Sequence, residues 1–281
     1  MSRTLRRVAA AAAAAVAALS LAACAGTPAA STSAAADGEL QTVTAGKLTI
    51  ATGEPDYEPW FVDDDPSNGK GFEGAVANAV AAELGFDADD IVWVRTGFDA
   101  AIAPGPKDWD VNIQQFSVTD ERKKAVDFSS PYYTTTQAVV ALNDSDAASA
   151  TTLAELKDAK VGVAAGTTSY TVAEEQLGDA NLSVFNTVDD VVLALQSGQI
   201  DALVTDLPGA FYLTAAVVDD STVTGQFEGS DGGDEFAFVL PKDSALTSAV
   251  SDAVDALRAD GTLDALVQEW LSDAVDVPVL Q

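Results

Sequence analysis

Residues 160–205, KVGVAAGTTSYTVAEEQLGDANLSVFNTVDDVVLALQSGQIDALVT, alternate short apolar runs with longer ones. The short apolar runs KVGVA, LSVF and IDALVT are typical of strands. The longer runs between them predict helices, one from about Thr168 to Leu177 and one over VDDVVLALQSG, with Asp189 and Asp190 in the first turn of the second helix. Strands that alternate with helices predict mainly parallel sheets covered on both faces.

A first series of the same kind precedes this one. The segment FEGAVANAVAAELG (72–85) has apolar residues at helical spacing and ends at a glycine, which predicts a helix. Further predicted elements are the strands KLTIAT, IVWV, WDVNI, AVVAL and EFAFVLP, and the helices FDAAIA, TDERKKAV, TLAELKD, LPGAFYLTAAV, SALTSAVSDAVDALRADG and TLDALVQEWL. Two such series in one chain predict an α/β protein with two lobes and a cleft between them.

The composition excludes several classes of function. The chain has no histidine and one cysteine, so it cannot by itself form a Ser-His-Asp triad or a site of several His or Cys metal ligands. Its 14 basic and 44 acidic residues give a net charge of −30, which argues against nucleic-acid binding. The acidic run DDDPSNGKGFEG (63–74) lacks the sixth-position glycine and twelfth-position glutamate of a calcium loop. We expect no metal and no cofactor.

The first residues predict export from the cytoplasm. MSRTLRRVAAAAAAAVAALSLAAC (1–24) has three arginines, an apolar run shorter than a membrane span and then small residues, as in a secretory signal peptide. Its end resembles the lipobox of bacterial lipoproteins, in which Cys24 is lipidated; an incidental cysteine in an ordinary signal peptide is the alternative. We expect a signal peptide (1–23), a flexible tether (24–45) and an extracytoplasmic lipoprotein anchored to the cell membrane.

The segment SVTDERKKAVDFSSPYY (117–133) places Arg122 near the start of a predicted helix that Thr119 can cap. The free amides of a helix N-terminus and a guanidinium together form a receptor for a carboxylate. The alternative is that Arg122 pairs with Glu121 or Asp127 on a solvated face. The spacing alone leaves both interpretations open.

The same segment resembles the T-x-E-R-x-x-x-V-x-F-S-x-P-Y motif of the bacterial extracellular solute-binding proteins of family 3, the polar amino-acid receptors of ABC importers. The similarity continues through KLTIAT, GKGFEGAVANAVAAELG, KVGVAAGTTS, GQIDALVTD and LRADGTLDALVQEWL, over about residues 46–271. It implies a two-lobed, type II periplasmic-binding-protein-like α/β fold with hinge crossings near 132–136 and 234–238. Lobe 1 would then comprise residues 46–134 and 236–281, and lobe 2 residues 135–235.

The resemblance also implies roles for the residues that would bind the charged groups of an amino acid. Arg122 matches the arginine that binds the α-carboxylate, and Ser117 the hydroxyl beside it. The turn Gly166-Thr167-Thr168 matches a loop whose amides close on the same carboxylate. Asp206 matches the acid that accepts the α-ammonium group, although it can also cap the helix that begins at Leu207-Pro208.

Further residues match positions around the ligand's side chain. Tyr57 and Phe98 match aromatic walls, with Trp60 a weaker candidate, and all three are equally consistent with the core. Glu54 and Gln115 are expected to face the ligand side chain and to favour a polar or cationic amino acid. The alternative for Glu54 is a surface position, because the local alignment is ambiguous by one residue.

The resemblance implies a substrate-binding lipoprotein of an ABC importer that performs no chemistry. It would capture a free amino acid by lobe closure and deliver it to a membrane permease. One alternative is an enzyme similar to cyclohexadienyl dehydratases, which have the same fold. The other is a ligand-sensing receptor that docks on another membrane protein.

Overall fold

The computed structural model of the chain describes residues 40–178, 181–228, 233–271 and 277–281. The predicted signal peptide, Cys24 and most of the predicted tether lie outside the described residues. Within the described ranges, every helix is too short or too polar to cross a bilayer.

The described residues form α-helices and short strands that alternate along much of the chain. The strands are β1 (Leu48–Thr52), β2 (Ile91–Arg95), β3 (Val111–Asn112), β4 (Val126–Phe128), β5 (Tyr133–Thr135), β6 (Gln137–Leu142), β7 (Val161–Ala164), β8 (Leu182–Phe185), β9 (Ala202–Asp206), β10 (Ser221–Gln226), β11 (Asp234–Phe236) and β12 (Val239–Pro241). The α-helices are α1 (Phe72–Glu83), α2 (Phe98–Ile102), α3 (Leu153–Leu156), α4 (Thr168–Leu177), α5 (Val188–Gln196), α6 (Leu207–Tyr212), α7 (Thr247–Ala259) and α8 (Thr262–Trp270). A π-helical turn, Leu213–Val217, continues α6.

Sheet A has the strand order β2-β1-β3-β12-β4. Neighbouring residues of β1 point to opposite faces, so that Ile50 packs with α1, α7 and α8, whereas Ala51 packs with α2. Both faces of the sheet are therefore covered. We call the described residues 40–128 and 239–271 half A.

Sheet B has the strand order β10-β6-β9-β7-β8. Alternate residues of β6 again face opposite clusters: Val139 packs with α3 and α4, and Val140 packs with α5 and α6. We call residues 137–226 half B, of which 179–180 are not described.

The prediction of mainly parallel sheets is wrong for the strands that follow a crossing between the sheets. In sheet A, β1 pairs in parallel with β2 and β3, but β12 is antiparallel to β3 and β4. In sheet B, β7 pairs in parallel with β8 and β9, but β6 is antiparallel to β9 and β10. Parallel neighbours need a crossover through a helix, whereas β6 and β12 enter their sheets directly from the other half of the molecule.

Two predicted elements differ from the structure. The predicted helix TDERKKAV is only a 3₁₀ turn, Arg122–Lys124, whose N-cap residue is Glu121 rather than the predicted Thr119. The hydroxyl of Thr119 accepts a hydrogen bond from the amide of Arg122 at 3.1 Å. The residues after it form β4, because they pair with β12 more than a hundred residues later. The predicted single strand EFAFVLP is divided into β11 and β12, which belong to different sheets.

The chain passes between the sheets at two places, each of which contains one strand of a small ladder. β5 and β11 pair antiparallel there, inside the predicted crossings 132–136 and 234–238. The prediction that 236–281 belongs wholly to lobe 1 is wrong for its last residues. Val279 bridges Gln226 of β10, and Leu280 is buried against half B, because its side chain fills the space beside Gly225.

Candidate binding site

A cavity of about 610 Å³ lies between the two halves, within the size range of small-molecule sites. It is lined by the loop after β1, the start of α2, the loop after β3, the starts of α4 and α5, and the end of β9 with α6. The structure brings together at this cavity nearly all the residues predicted from the sequence: Glu54, Tyr57, Trp60, Phe98, Gln115, Ser117, Arg122, Thr167, Thr168 and Asp206.

Arg122 is buried at the cavity wall. Its guanidinium lies over the ring of Phe98, 5.2 Å from the centroid, and its two terminal nitrogens donate to the carbonyls of Ser117 at 2.8 Å and Gly166 at 3.0 Å. A guanidinium has five N–H donors, so these carbonyls do not saturate it. The alternative of a surface ion pair is wrong, because Glu121 pairs with Lys124, and Asp127 pairs with Lys242 at 2.9 Å.

The turn before α4 brings half B against half A. Gly166 has a left-handed φ of +73°, and its carbonyl accepts from Arg122. Thr167 caps α4 by accepting from the amide of Tyr170 at 3.1 Å. The hydroxyl of Thr168 lies 3.2 Å from that of Ser117 in half A. The two halves therefore contact each other directly at the site.

Asp206 ends β9 at the cavity. Although it occupies the N-cap position of α6, its side chain makes no capping hydrogen bond. Its Oδ1 instead accepts from the amide nitrogen of Gln137 at 2.7 Å. Burial raises the pKa of Asp206 to about 7, and the charge of Asp234 acts in the same direction, whereas Gln137 and Arg122 lower the pKa.

The three predicted aromatic residues all reach the cavity but differ in their packing. Phe98 stacks on Phe116 with 4.7 Å between the ring centroids. Tyr57 is half-buried, and burial followed by a hydrogen bond with Asp189 raises its pKa. Trp60 is buried and packs edge-to-face in the core cluster of half A, and it also borders the cavity.

Glu54 and Gln115 have different surroundings. Glu54 is exposed and borders the cavity. Gln115 has a left-handed φ of +48°, and its backbone amide donates to the carboxylate of Glu73 at 2.7 Å. Its side-chain nitrogen donates to the same carboxylate. The contacts of Gln115 therefore do not support the prediction that it selects the ligand side chain.

Three groups beside the site, of which Glu73 and Gln137 are buried and Asp234 is half-buried, were not found from the sequence. Glu73, in the first turn of α1, is fully buried and also accepts from the hydroxyl of Tyr132. Gln137 and Asp234 lie together behind Asp206 and Thr168. The one signal in the sequence is that Gln137 and Glu73 are polar residues at positions where the strand and helix patterns predict burial.

The ion pair between Asp56 and Arg95 holds the loop after β1 in place. Asp56 is buried and accepts from Arg95 at 2.6 Å and from the hydroxyl of Thr52 at 2.7 Å. Arg95 also donates to the carbonyl of Gly53 at 2.6 Å. Burial raises the pKa of Asp56 to about 6, while Thr52 and Arg95 lower it.

Comparison with known proteins identifies a group of similar chains. The sequence profile of the "Bacterial extracellular solute-binding proteins, family 3" matches residues 48–273. A probable histidine-binding protein of Campylobacter jejuni is 29% identical over 79% of this chain and 85% of its own length. The L-cystine-binding protein TcyJ of Escherichia coli K12 is 31% identical over 77% of this chain and 80% of its own. A solved structure of an ancestral arginine-binding protein bound to glutamine is 30% identical, with a TM-score of 0.67 over 81% of this chain and 98% of that chain.

Proposed function

The chain belongs to the bacterial extracellular solute-binding proteins of family 3, and we propose that it captures a free polar or cationic amino acid and delivers it to the permease of an ABC importer. Its substrate-binding role follows from the family. One observation carries the proposal: a buried arginine of half A and a carboxylate of half B border the same cavity. These are the opposite charges that the two ends of an amino acid require.

The head group of the ligand would be held by both halves together. Arg122 would bind the α-carboxylate, with the hydroxyls of Ser117 and Thr168 beside it, and Asp206 would accept the α-ammonium group. Only the closed arrangement brings these groups to one ligand, so the ligand would shift the population toward closure by its higher affinity for that state. Gly166 supports the arrangement because its carbonyl orients Arg122.

The lining favours a ligand with a positively charged side chain. Arg122 is the one cation among the described residues that border the cavity, and Asp56 is already paired with Arg95. Four further acids border the cavity together with the aromatic side chains of Tyr57 and Phe98, and none of the four forms an ion pair among the described residues; they are Glu54, Glu58, Asp99 and Asp189. The names of the histidine-binding relative and of the ancestral arginine-binding protein reported above agree with such a ligand.

The position of the protein in the cell is part of the proposal. Removal of residues 1–23 and lipidation of Cys24 would anchor the protein to the outer side of the membrane through the tether, within reach of a permease. The arginines, the apolar run and the single cysteine of the N-terminus support this. Replacing Cys24 by serine is expected to release the protein from the membrane fraction, and retention there would contradict it.

We test the function with a thermal-shift panel on protein refolded to strip any bound ligand. The panel contains L-arginine, L-histidine, L-glutamine, L-cystine and prephenate. A ligand present at about 1,000 times its Kd stabilises the folded state by roughly 4 kcal/mol, or about 8 to 16 °C for a protein of this size. We expect such a shift from a cationic amino acid. No shift from any amino acid would contradict the proposal.

In the proposed function the protein binds its ligand without converting it. The relatives reported above are binding proteins. Prephenate and arogenate are therefore expected to be recovered unchanged after incubation, and product formation would favour the enzyme alternative.

A further inference from the structure

Asp206 and Asp234 share one amide group beside the cavity. The side-chain nitrogen of Gln137 donates to Asp206 Oδ1 at 2.7 Å and to Asp234 Oδ2 at 2.7 Å, which uses both of its hydrogens. The hydroxyl of Ser169 donates to the oxygen of the same amide at 2.7 Å and so fixes its orientation. Two carboxylates held this close repel each other when both are ionised.

Asp234 lies in the second crossing and contacts both halves. Besides Gln137, its Oδ2 accepts from the hydroxyl of Thr168 in half B at 2.6 Å and from that of Ser117 in half A at 3.3 Å. The next residue of β11, Glu235, has an exposed side chain, since neighbouring residues of a strand point to opposite faces. Asp234 therefore orients the groups proposed to surround the ligand without bordering the cavity itself.

The negative charges of Asp206 and Asp234 outnumber the positive charge beside them. Arg122 is the cation that interacts with both carboxylates. The other titratable groups that face Asp206 are Tyr132 and Tyr133, whose pKa values are raised, so both are neutral near pH 7. One positive charge against two negative ones in a desolvated site favours the retention of a proton on Asp206. The raised pKa of Asp206, first from burial and then from Asp234, agrees with this geometry.

We propose that Asp234 is a positioning residue that couples amino-acid capture to the release of a proton from Asp206. Asp206 holds this proton, with Asp234 beside it, until the ammonium group of the ligand takes its place. The O–H bond of Asp206 then breaks, the proton passes to water or buffer, and the carboxylate pairs with the ammonium group. This inference rests on the proposed function, because it takes Asp206 as the ammonium acceptor.

The test is isothermal titration calorimetry of the protein with L-arginine, whose guanidinium stays protonated throughout. Titrations at one pH in two buffers of different ionisation enthalpy give the number of protons released per ligand. From a pKa of about 7 for Asp206, we expect about 0.9 proton at pH 6, about 0.5 at pH 7 and about 0.1 at pH 8. The affinity should fall by up to tenfold for each pH unit below 7.

Two variants test whether Asp234 causes the release of a proton on ligand binding. Asp234→Asn keeps the shape and its acceptor oxygen but removes the charge, so Asp206 should release its proton at a lower pH, and the count at pH 6 should drop. Glu235→Gln removes one carboxylate from the same strand on the exposed face, and its proton count should equal that of the unchanged protein. A thermal melt of each variant checks that it is folded.

The possible results separate a failure of this inference from a failure of the proposed function. Binding without proton release at pH 6 in the unchanged protein overturns the inference without any variant. An Asp234→Asn count equal to that of the unchanged protein overturns the role of Asp234. If no amino acid binds at all, or if Asp206→Asn binds L-arginine as tightly as the unchanged protein does, the proposed function fails and this inference fails with it.

Discussion

Replacing Glu73 by glutamine is expected to remove a large part of the pH dependence of folding stability. Glu73 is fully buried in the first turn of α1, where it accepts hydrogen bonds from Gln115 and Tyr132. Burial raises its pKa from 4.5 to about 7, even though these hydrogen bonds act in the opposite direction. Within the part of the chain that the structure describes, Glu73 forms no ion pair, so its ionisation is opposed mainly by desolvation.

Proton linkage gives the direction and the size of the Glu73 contribution to the free energy of unfolding. Between pH 4.5 and 7 the folded state holds a proton on Glu73 that the unfolded state has lost, so the free energy of unfolding falls as the pH rises through this window. Above pH 7 the Glu73 contribution is constant. A shift of this size corresponds to about 3 kcal/mol. Asp206 and Asp56, with pKa values raised to about 7 and about 6, add to the fall in the same direction.

The assay is urea unfolding followed by tryptophan fluorescence at pH 5 and pH 8. The unchanged protein should be more stable at pH 5, and the loss between the two pH values should be smaller by about 2 to 3 kcal/mol in Glu73→Gln. Surface charge repulsion is common to both proteins and cancels in the comparison. An equal loss in both proteins, or a stability that rises from pH 5 to pH 8, would contradict this role of Glu73.

Three further substitutions test the surroundings of the site. Arg95→Ala leaves Asp56 buried without its partner, so unfolding by urea should show a loss of about 3 kcal/mol at pH 8, and an unchanged midpoint would contradict this role. Gly166→Ala introduces a Cβ at a left-handed φ, 3.3 Å from Asp99 Oδ1. It should therefore lower the free energy of unfolding by about 1 to 2 kcal/mol and weaken ligand binding. Stability and binding equal to those of the unchanged protein would show that the turn does not require a glycine. Glu54→Gln should lower the affinity for L-arginine several-fold while leaving that for L-glutamine nearly unchanged, and equal effects on both ligands in calorimetry would remove Glu54 from side-chain selection.

Local signals predicted most of the elements. Helix α4 has the predicted bounds at both ends, because Thr167 caps its start and Gly178 follows its end. The error at residues 119–126 arose because a helix-favouring segment lies beside a strand whose partner, Pro241, is far away in sequence. Such pairings are set by the tertiary structure and have no local signature.

The residues at the candidate site also divide into those with a local signal in the sequence and those without one. Arg122 and Asp206 were found because each lies in a contiguous motif that resembles a known family. Asp234 and Gln137 were missed because their importance depends on a contact between residues almost a hundred positions apart. The contact of Gln115 with a buried acid on α1, Glu73, was missed for the same reason, because the two residues are far apart in the sequence.

The most direct test of the account compares Arg122→Ala with Lys123→Ala in calorimetric titrations with L-arginine at pH 8. Both variants lose one positive charge, but Arg122 is buried at the cavity, and Lys123 is exposed on the surface. Truncating one partner of a buried charge pair typically costs about 2 to 5 kcal/mol. We expect Arg122→Ala to lose about 30-fold to several thousandfold in affinity and Lys123→Ala to bind as the unchanged protein does. Equal affinity in all three proteins would contradict the central claim that Arg122 holds the ligand.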